Sequence, residues 1–145
     1  MESEPIVELP KITPTIPDSK VWKKFTDNWY YNKKSLTKSS NIVSVWTYYI
    51  LTDDDRKEMI EIIKKFDLEE SIKYQHHDHC LTLEKFDCKN KMNKREDSVD
   101  YDDEGKVLDD RINKNSEWKN IIPESVMDTL YNKVCVTPKK SLKKK

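Results

Sequence analysis

Ile42-Val43-Ser44-Val45-Trp46-Thr47-Tyr48-Tyr49-Ile50-Leu51 is the stretch that decides the fold of this chain. It holds no proline or glycine and is rich in β-branched and aromatic side chains, the composition of a strand. On a period of two, Ile42, Trp46, Tyr48 and Ile50 point one way while Val43, Val45, Tyr49 and Leu51 point the other. Both faces are apolar, so this is expected to be a central strand covered on each side.

Upstream, Val21-Trp22 and Trp29-Tyr30-Tyr31 continue the aromatic enrichment. Asp27-Asn28 and Thr37-Lys38-Ser39-Ser40-Asn41 supply turn residues, so residues 21–51 read as three hairpin-linked strands. Before them, four prolines from Pro5 to Pro17 alternate with Ile6, Val7, Leu9, Ile12 and Ile16. That pattern predicts an extended arm over residues 1–19, a tail or linker unless it packs its isoleucines onto a neighbouring molecule.

Downstream, Thr52 caps Asp53-Asp54-Asp55, placing negative charge at the positive end of a surface helix. Met59, Ile62, Ile63 and Phe66 form its expected inner stripe, and Arg56, Lys57, Glu61 and Lys64 its outer face. Ile72 to Cys88 reads as extended, as do Met92 to Tyr101 and Val107 to Ile112. Asp102-Asp103-Glu104-Gly105 holds the chain's single glycine, where a hairpin needs positive φ. A last helix is expected from Pro123-Glu124, with Val126, Leu130 and Val134 beside Met127, Tyr131 and Cys135 on its buried side. The class is therefore α+β: about six antiparallel strands, a surface helix and a C-terminal helix, in one domain over residues 20–136. Residues 137–145 are a basic tail ending Lys143-Lys144-Lys145.

At 145 residues there is room for one core, and 27 Lys and Arg balance 27 Asp and Glu, so no global field draws the molecule to nucleic acid or an anionic membrane. Only 35% of residues are hydrophobic against 37% charged, which makes for a lean core. No stretch approaches the roughly 20 apolar residues of a membrane span. Met1-Glu2-Ser3-Glu4-Pro5 looks like an initiator on a trimmed mature protein, its signal or lipid anchor removed.

Cys88 ends an expected strand and Cys135 an expected helix, on faces that should pack together. A bond between them closes a loop of about 48 residues and contributes roughly 4 kcal/mol. Two reduced, buried cysteines in a cytosolic protein are the alternative, and Cys80 is left over as a buried or free thiol.

Several segments stand in a characteristic order: Val21-Trp22, Trp29-Tyr30-Tyr31-Asn32, Asn41-Ile42-Val43-Ser44-Val45-Trp46 and Phe86-Asp87-Cys88-Lys89. Tyr101-Asp102, Gly105-Lys106-Val107-Leu108, Trp118-Lys119-Asn120-Ile121-Ile122-Pro123-Glu124-Ser125, Leu130-Tyr131 and Val134-Cys135 follow. In order and spacing they resemble the bacterial surface-adhesin protein E family, over about residues 20 to 136. It implies a six-stranded antiparallel sheet with the C-terminal helix tied to its concave face through Cys88 and Cys135. It also implies a homodimer, and export to the periplasm or cell surface.

The functional expectation is a non-enzymatic binding module that recognises extracellular or envelope proteins, without a cofactor. Lys89, Lys91, Lys94 and Arg95 form a basic strip suited to an acidic protein or glycan, or else a lysine-protected edge strand. Trp29, Tyr30 and Tyr31 are candidate aromatic anchors if exposed. The alternative is metal binding by His76, His77, Asp78, His79 and Cys80. Strand alternation sends His76, Asp78 and Cys80 to one face and His77 and His79 to the other, so neither face holds four ligands. The sequence lacks CxxC and Gly-x-Ser-x-Gly, and one glycine cannot build a phosphate-cradling loop.

Overall fold

The computed structural model describes residues 9–135. Its sheet contains β1 (Trp22–Thr26), β2 (Trp29–Asn32), β3 (Thr37–Ser39), β4 (Ile42–Ile50), β5 (His77–Asp87), β6 (Met92–Asp102), β7 (Val107–Ile112) and β8 (Lys119–Asn120). The strands run in the order β1-β2-β4-β5-β6-β7, with β3 also on β4 and β8 also on β6, and every pairing is antiparallel. The six-stranded path is the one expected. The two extra strands have three and two residues, too short to show a period in sequence. Three of the turns carry a left-handed residue, Asn28 (φ 68°), Ser40 (φ 58°) and Lys91 (φ 53°), and the fourth carries Gly105 (φ 83°).

Three α-helices complete the fold: α1 (Asp53–Lys64), α2 (Leu68–Lys73) and α3 (Val126–Val134). The Thr52 hydroxyl accepts from Asp55 N–H while the Asp55 carboxylate reaches back to the Thr52 N–H, so the acidic start of α1 is a capping box. Three sequence expectations change here. Ile72 to His76 is not extended but helical, because the Asp67 side chain caps α2 by accepting from Glu70 N–H. In α1 the inner stripe is Arg56 and Ile60, with Met59 and Ile63 half-buried, whereas Ile62 and Phe66 lie outside. The Arg56 guanidinium donates to the His77 carbonyl at 2.7 Å and pairs with Asp53, which turns that side of the helix inward. Finally, α3 begins after Pro123 and Glu124: Glu124 has φ 67°, and Ser125 is the cap, accepting from Asp128 N–H.

One main core explains why α3 sits where it does. Val43, Val45 and Phe86 from the centre of the sheet meet Leu130 of α3, with Phe25, Tyr31 and Ile121 around them. Each such side chain contributes about 1.5–3 kcal/mol on burial. Cys88, just beyond β5, is bonded to Cys135 with Cα atoms 5.3 Å apart, and the Tyr131 hydroxyl donates to the Cys88 carbonyl beside it. Burial along β4 passes from Val43, Val45 and Thr47 to Tyr48 and Ile50. The strand is therefore covered on one face near its start and on the opposite face near its end, which is why both faces are apolar.

Candidate binding surface

The histidine-rich segment is divided rather than assembled. His77 pairs with Asp102 and His79 with Tyr101, leaving Asp78 in a bulge that breaks strict alternation. His77 consequently points to the Asp100 side, its Nε2 3.5 Å from the Asp100 carboxylate. Asp78 turns toward His79 instead, with Oδ2 2.6 Å from His79 Nδ1. The His79 ring lies between Tyr48 and Tyr101, nearly parallel to both, at centroid distances of 4.5 and 4.9 Å. His76 is exposed and 3.6 Å from Asp103. The expected division, with His76, Asp78 and Cys80 on one face and His77 and His79 on the other, is corrected by the bulge. Among the described residues, no group of three or more His, Cys, Asp or Glu side chains is placed to hold a metal.

Two polar clusters result. On one side Asp100, 2% exposed, accepts from the Tyr74 hydroxyl at 2.6 Å and from Arg111 at 2.8 Å. Burial opposes its charge, but the neighbouring His77 and the hydrogen bonds from Arg111 and Tyr74 outweigh it and hold the carboxyl far below the usual range. Cys80 lies on this side, and burial, reinforced by Asp100 and Glu84, pushes its thiol up to about 12. On the other side the Asp78 carboxylate accepts the Thr15 N–H at 3.3 Å while the Tyr48 hydroxyl donates to the Thr15 carbonyl at 2.7 Å. The proline-rich segment is thus held against its own domain at Thr15, which no sequence pattern indicated.

The basic strip is committed to partners within the chain. Lys91 reaches Asp128 of α3 at 3.2 Å and lies over the Tyr131 ring. Lys94 pairs with Glu96 and lies over Trp118. Arg95 Nε is 3.0 Å from Glu84, a carboxylate with no exposure at all. Lys89 sits exposed in the β5–β6 turn. Lys89 and Lys91 occupy a turn, while Lys94 and Arg95 lie on β6 between its pairings with β8 at Met92 and Asn93 and with β7 from Asp97 onward. The aromatic anchors also divide: Tyr31 is 5% exposed and belongs to the core, correcting its expected exposure, while Trp29 packs on Phe25 and Tyr49 and Tyr30 meets Tyr48 edge-on. Trp29 and Tyr30 remain half-buried.

Beside this strip the sheet bears an open trough that the sequence did not reveal. One cavity of about 590 Å³ is bordered by Arg95, Ser98, Arg111 and Asn113, and a second of about 380 Å³ continues past Asn93 and Asn115. The β6–β7 register places Ser98 opposite Arg111. Residues from strand and loop meet here, so only the folded chain shows it.

A family model described as surface-adhesin protein E matches residues 19–136, nearly the whole described domain. The chain belongs to the surface-adhesin protein E family. Solved structures of Haemophilus influenzae protein E share the fold of this family member. Crystal form II is 12% identical with a TM-score of 0.57, over 87% of this chain and 95% of that one. The protein from non-typeable Haemophilus influenzae is 11% identical with a TM-score of 0.52, over 92% of each chain. No curated protein matches the sequence. At these identities the likeness speaks for architecture alone, and α3, the antiparallel sheet and the Cys88–Cys135 bond belong to that architecture.

Proposed function

We propose that this chain is an exported, non-enzymatic binding protein that acts at the periplasm or cell surface by recognising other proteins. The observation that carries this reading is the family match over residues 19–136. The Cys88–Cys135 bond supports export, because such bonds persist in oxidising compartments and are rare in the cytosol. No helix among the described residues is long and apolar enough to cross a membrane. The proposed contact residues are Lys89, Lys91, Lys94 and Arg95, with half-exposed Trp29 and Tyr30 on the far strand β2 as separate aromatic contacts. A homodimer is part of the same proposal.

The test has two arms. Fractionation of the native host should place the protein outside the cytosol, with Cys88 and Cys135 resistant to alkylation. Immobilised protein should retain envelope or extracellular-matrix proteins, and Lys89→Ala with Lys91→Ala should weaken that retention by about tenfold, equivalent to roughly 1.4 kcal/mol. A cytosolic protein with both thiols free, or retention no greater than by reduced, unfolded protein, would overturn the reading.

A further inference from the structure

We propose that the trough over β6 and β7 binds a neutral, hydroxyl-rich glycan chain. Its two open cavities share Arg95 and Asn113 as a common border and so lie side by side, and their volumes lie in the range of ligand sites. Four basic side chains border it, Lys94, Arg95, Arg111 and Lys119. Three of these are already paired, with Glu96, Glu84 and Asp100 respectively. Little field is left to hold a nucleic acid or sulfated chain, whose binding depends on unpaired cations.

What remains, beside Glu117 and Lys119, is a lining of hydrogen-bonding groups that work in both senses. Ser98, Ser116, Asn113 and Asn115 each donate and accept, as sugar hydroxyls do. Because Glu84 takes only Nε, the two Nη groups of Arg95 have no acidic partner among the described residues and serve as donors at the junction of the cavities. Ile112 is the one apolar side chain on the border, so a peptide would find no pocket for an aromatic or aliphatic anchor. Trp118, between the lining residues Glu117 and Lys119 in sequence, has the Lys94 ammonium 5.1 Å from its ring centroid.

The disulfide-intact protein is titrated with chitohexaose, cellohexaose and maltohexaose by calorimetry and saturation-transfer NMR, with heparin as the anionic comparator. At least one neutral hexasaccharide is expected to bind, with an affinity unchanged between low salt and about 150 mM salt. Asn113→Trp should weaken it at least about tenfold. Asn113 is exposed, and its backbone N–H bond to Glu96 survives the change. Asn115→Arg, in the second cavity, provides a second block if the first variant unfolds. Silence from all three neutral sugars, undiminished binding by both folded variants, or binding confined to heparin and abolished by salt would each overturn the proposal. Protein partners retained by Asn113→Trp would leave the adhesin-like reading standing on its own.

Discussion

Asp100 keeps its charge with almost no contact with water, and that residue makes the acid stability of the domain predictable. Its carboxyl is depressed in the folded protein relative to about 3.9 in an unfolded chain. The stabilisation is therefore complete at pH values above the unfolded pKa and is lost as pH falls from about 4 toward the lower folded value. Asp100→Asn should cost about 1–3 kcal/mol at neutral pH, because Tyr74 and Arg111 lose a charged acceptor, and should flatten the acid limb of a pH-stability curve. Urea melts of both proteins from pH 7 to 2.5 measure this; parallel curves would refute it. Cys80, across the strand pair from Asp100, behaves oppositely toward chemistry. With its thiol pushed up to about 12, almost no thiolate exists at pH 8, and the thiolate is the reactive form. Iodoacetamide should leave Cys80 unmodified in the native protein and label that single site once unreduced protein is unfolded. This inertness also protects the Cys88–Cys135 bond from exchange with the third cysteine.

At the scale of elements, α3 is joined to the sheet and its β5–β6 turn by packing, by the Tyr131 hydrogen bond, by the Lys91–Asp128 ion pair and by one covalent bond. Reduction, or Cys135→Ser with Cys88→Ser, should lower stability by about 4 kcal/mol, read from denaturant midpoints with unchanged slope. Unchanged midpoints would mean that α3 packing alone holds the sheet. Gly105→Ala is a smaller perturbation of a different kind. A Cβ there meets nothing within 4 Å, so the expected cost of about 1 kcal/mol comes wholly from holding φ at 83°. What could be read in advance followed the same division between local and tertiary causes. The central strand over Ile42–Ile50, the Thr52 cap, the Gly105 hairpin and the buried stripe of α3 are local patterns, and each stands in the structure. The inward turn of Arg56, the bulge at Asp78 and the burial of Tyr31 depend on partners at distant positions. No period in the sequence encodes them, and the trough, built from β6, β7 and the loop beyond, was hidden for the same reason.

For the molecule as a whole, the sheet is covered from both sides without a second full layer, which suits a chain with only 35% hydrophobic residues. The face carrying Val43, Val45 and Phe86 is closed by α3, while the opposite face around Tyr48 and His79 is reached by the N-terminal segment at Thr15. That contact is made by backbone groups of Thr15, so it does not depend on which side chain stands there. Asp78 is 1% exposed, and without the Thr15 N–H its carboxylate keeps only the contact with His79. Removing residues 1–17 should therefore leave the fold intact but cost about 1–3 kcal/mol, the range for a buried polar group losing a partner. A domain of this size should then melt several degrees lower. Thr15→Ala within the full chain should melt like the parent, because both backbone groups remain. Differential scanning calorimetry of the three proteins separates the possibilities. An unshifted truncation would mean that the segment merely rests on the sheet, whereas a large loss in Thr15→Ala would move its role to the side chain.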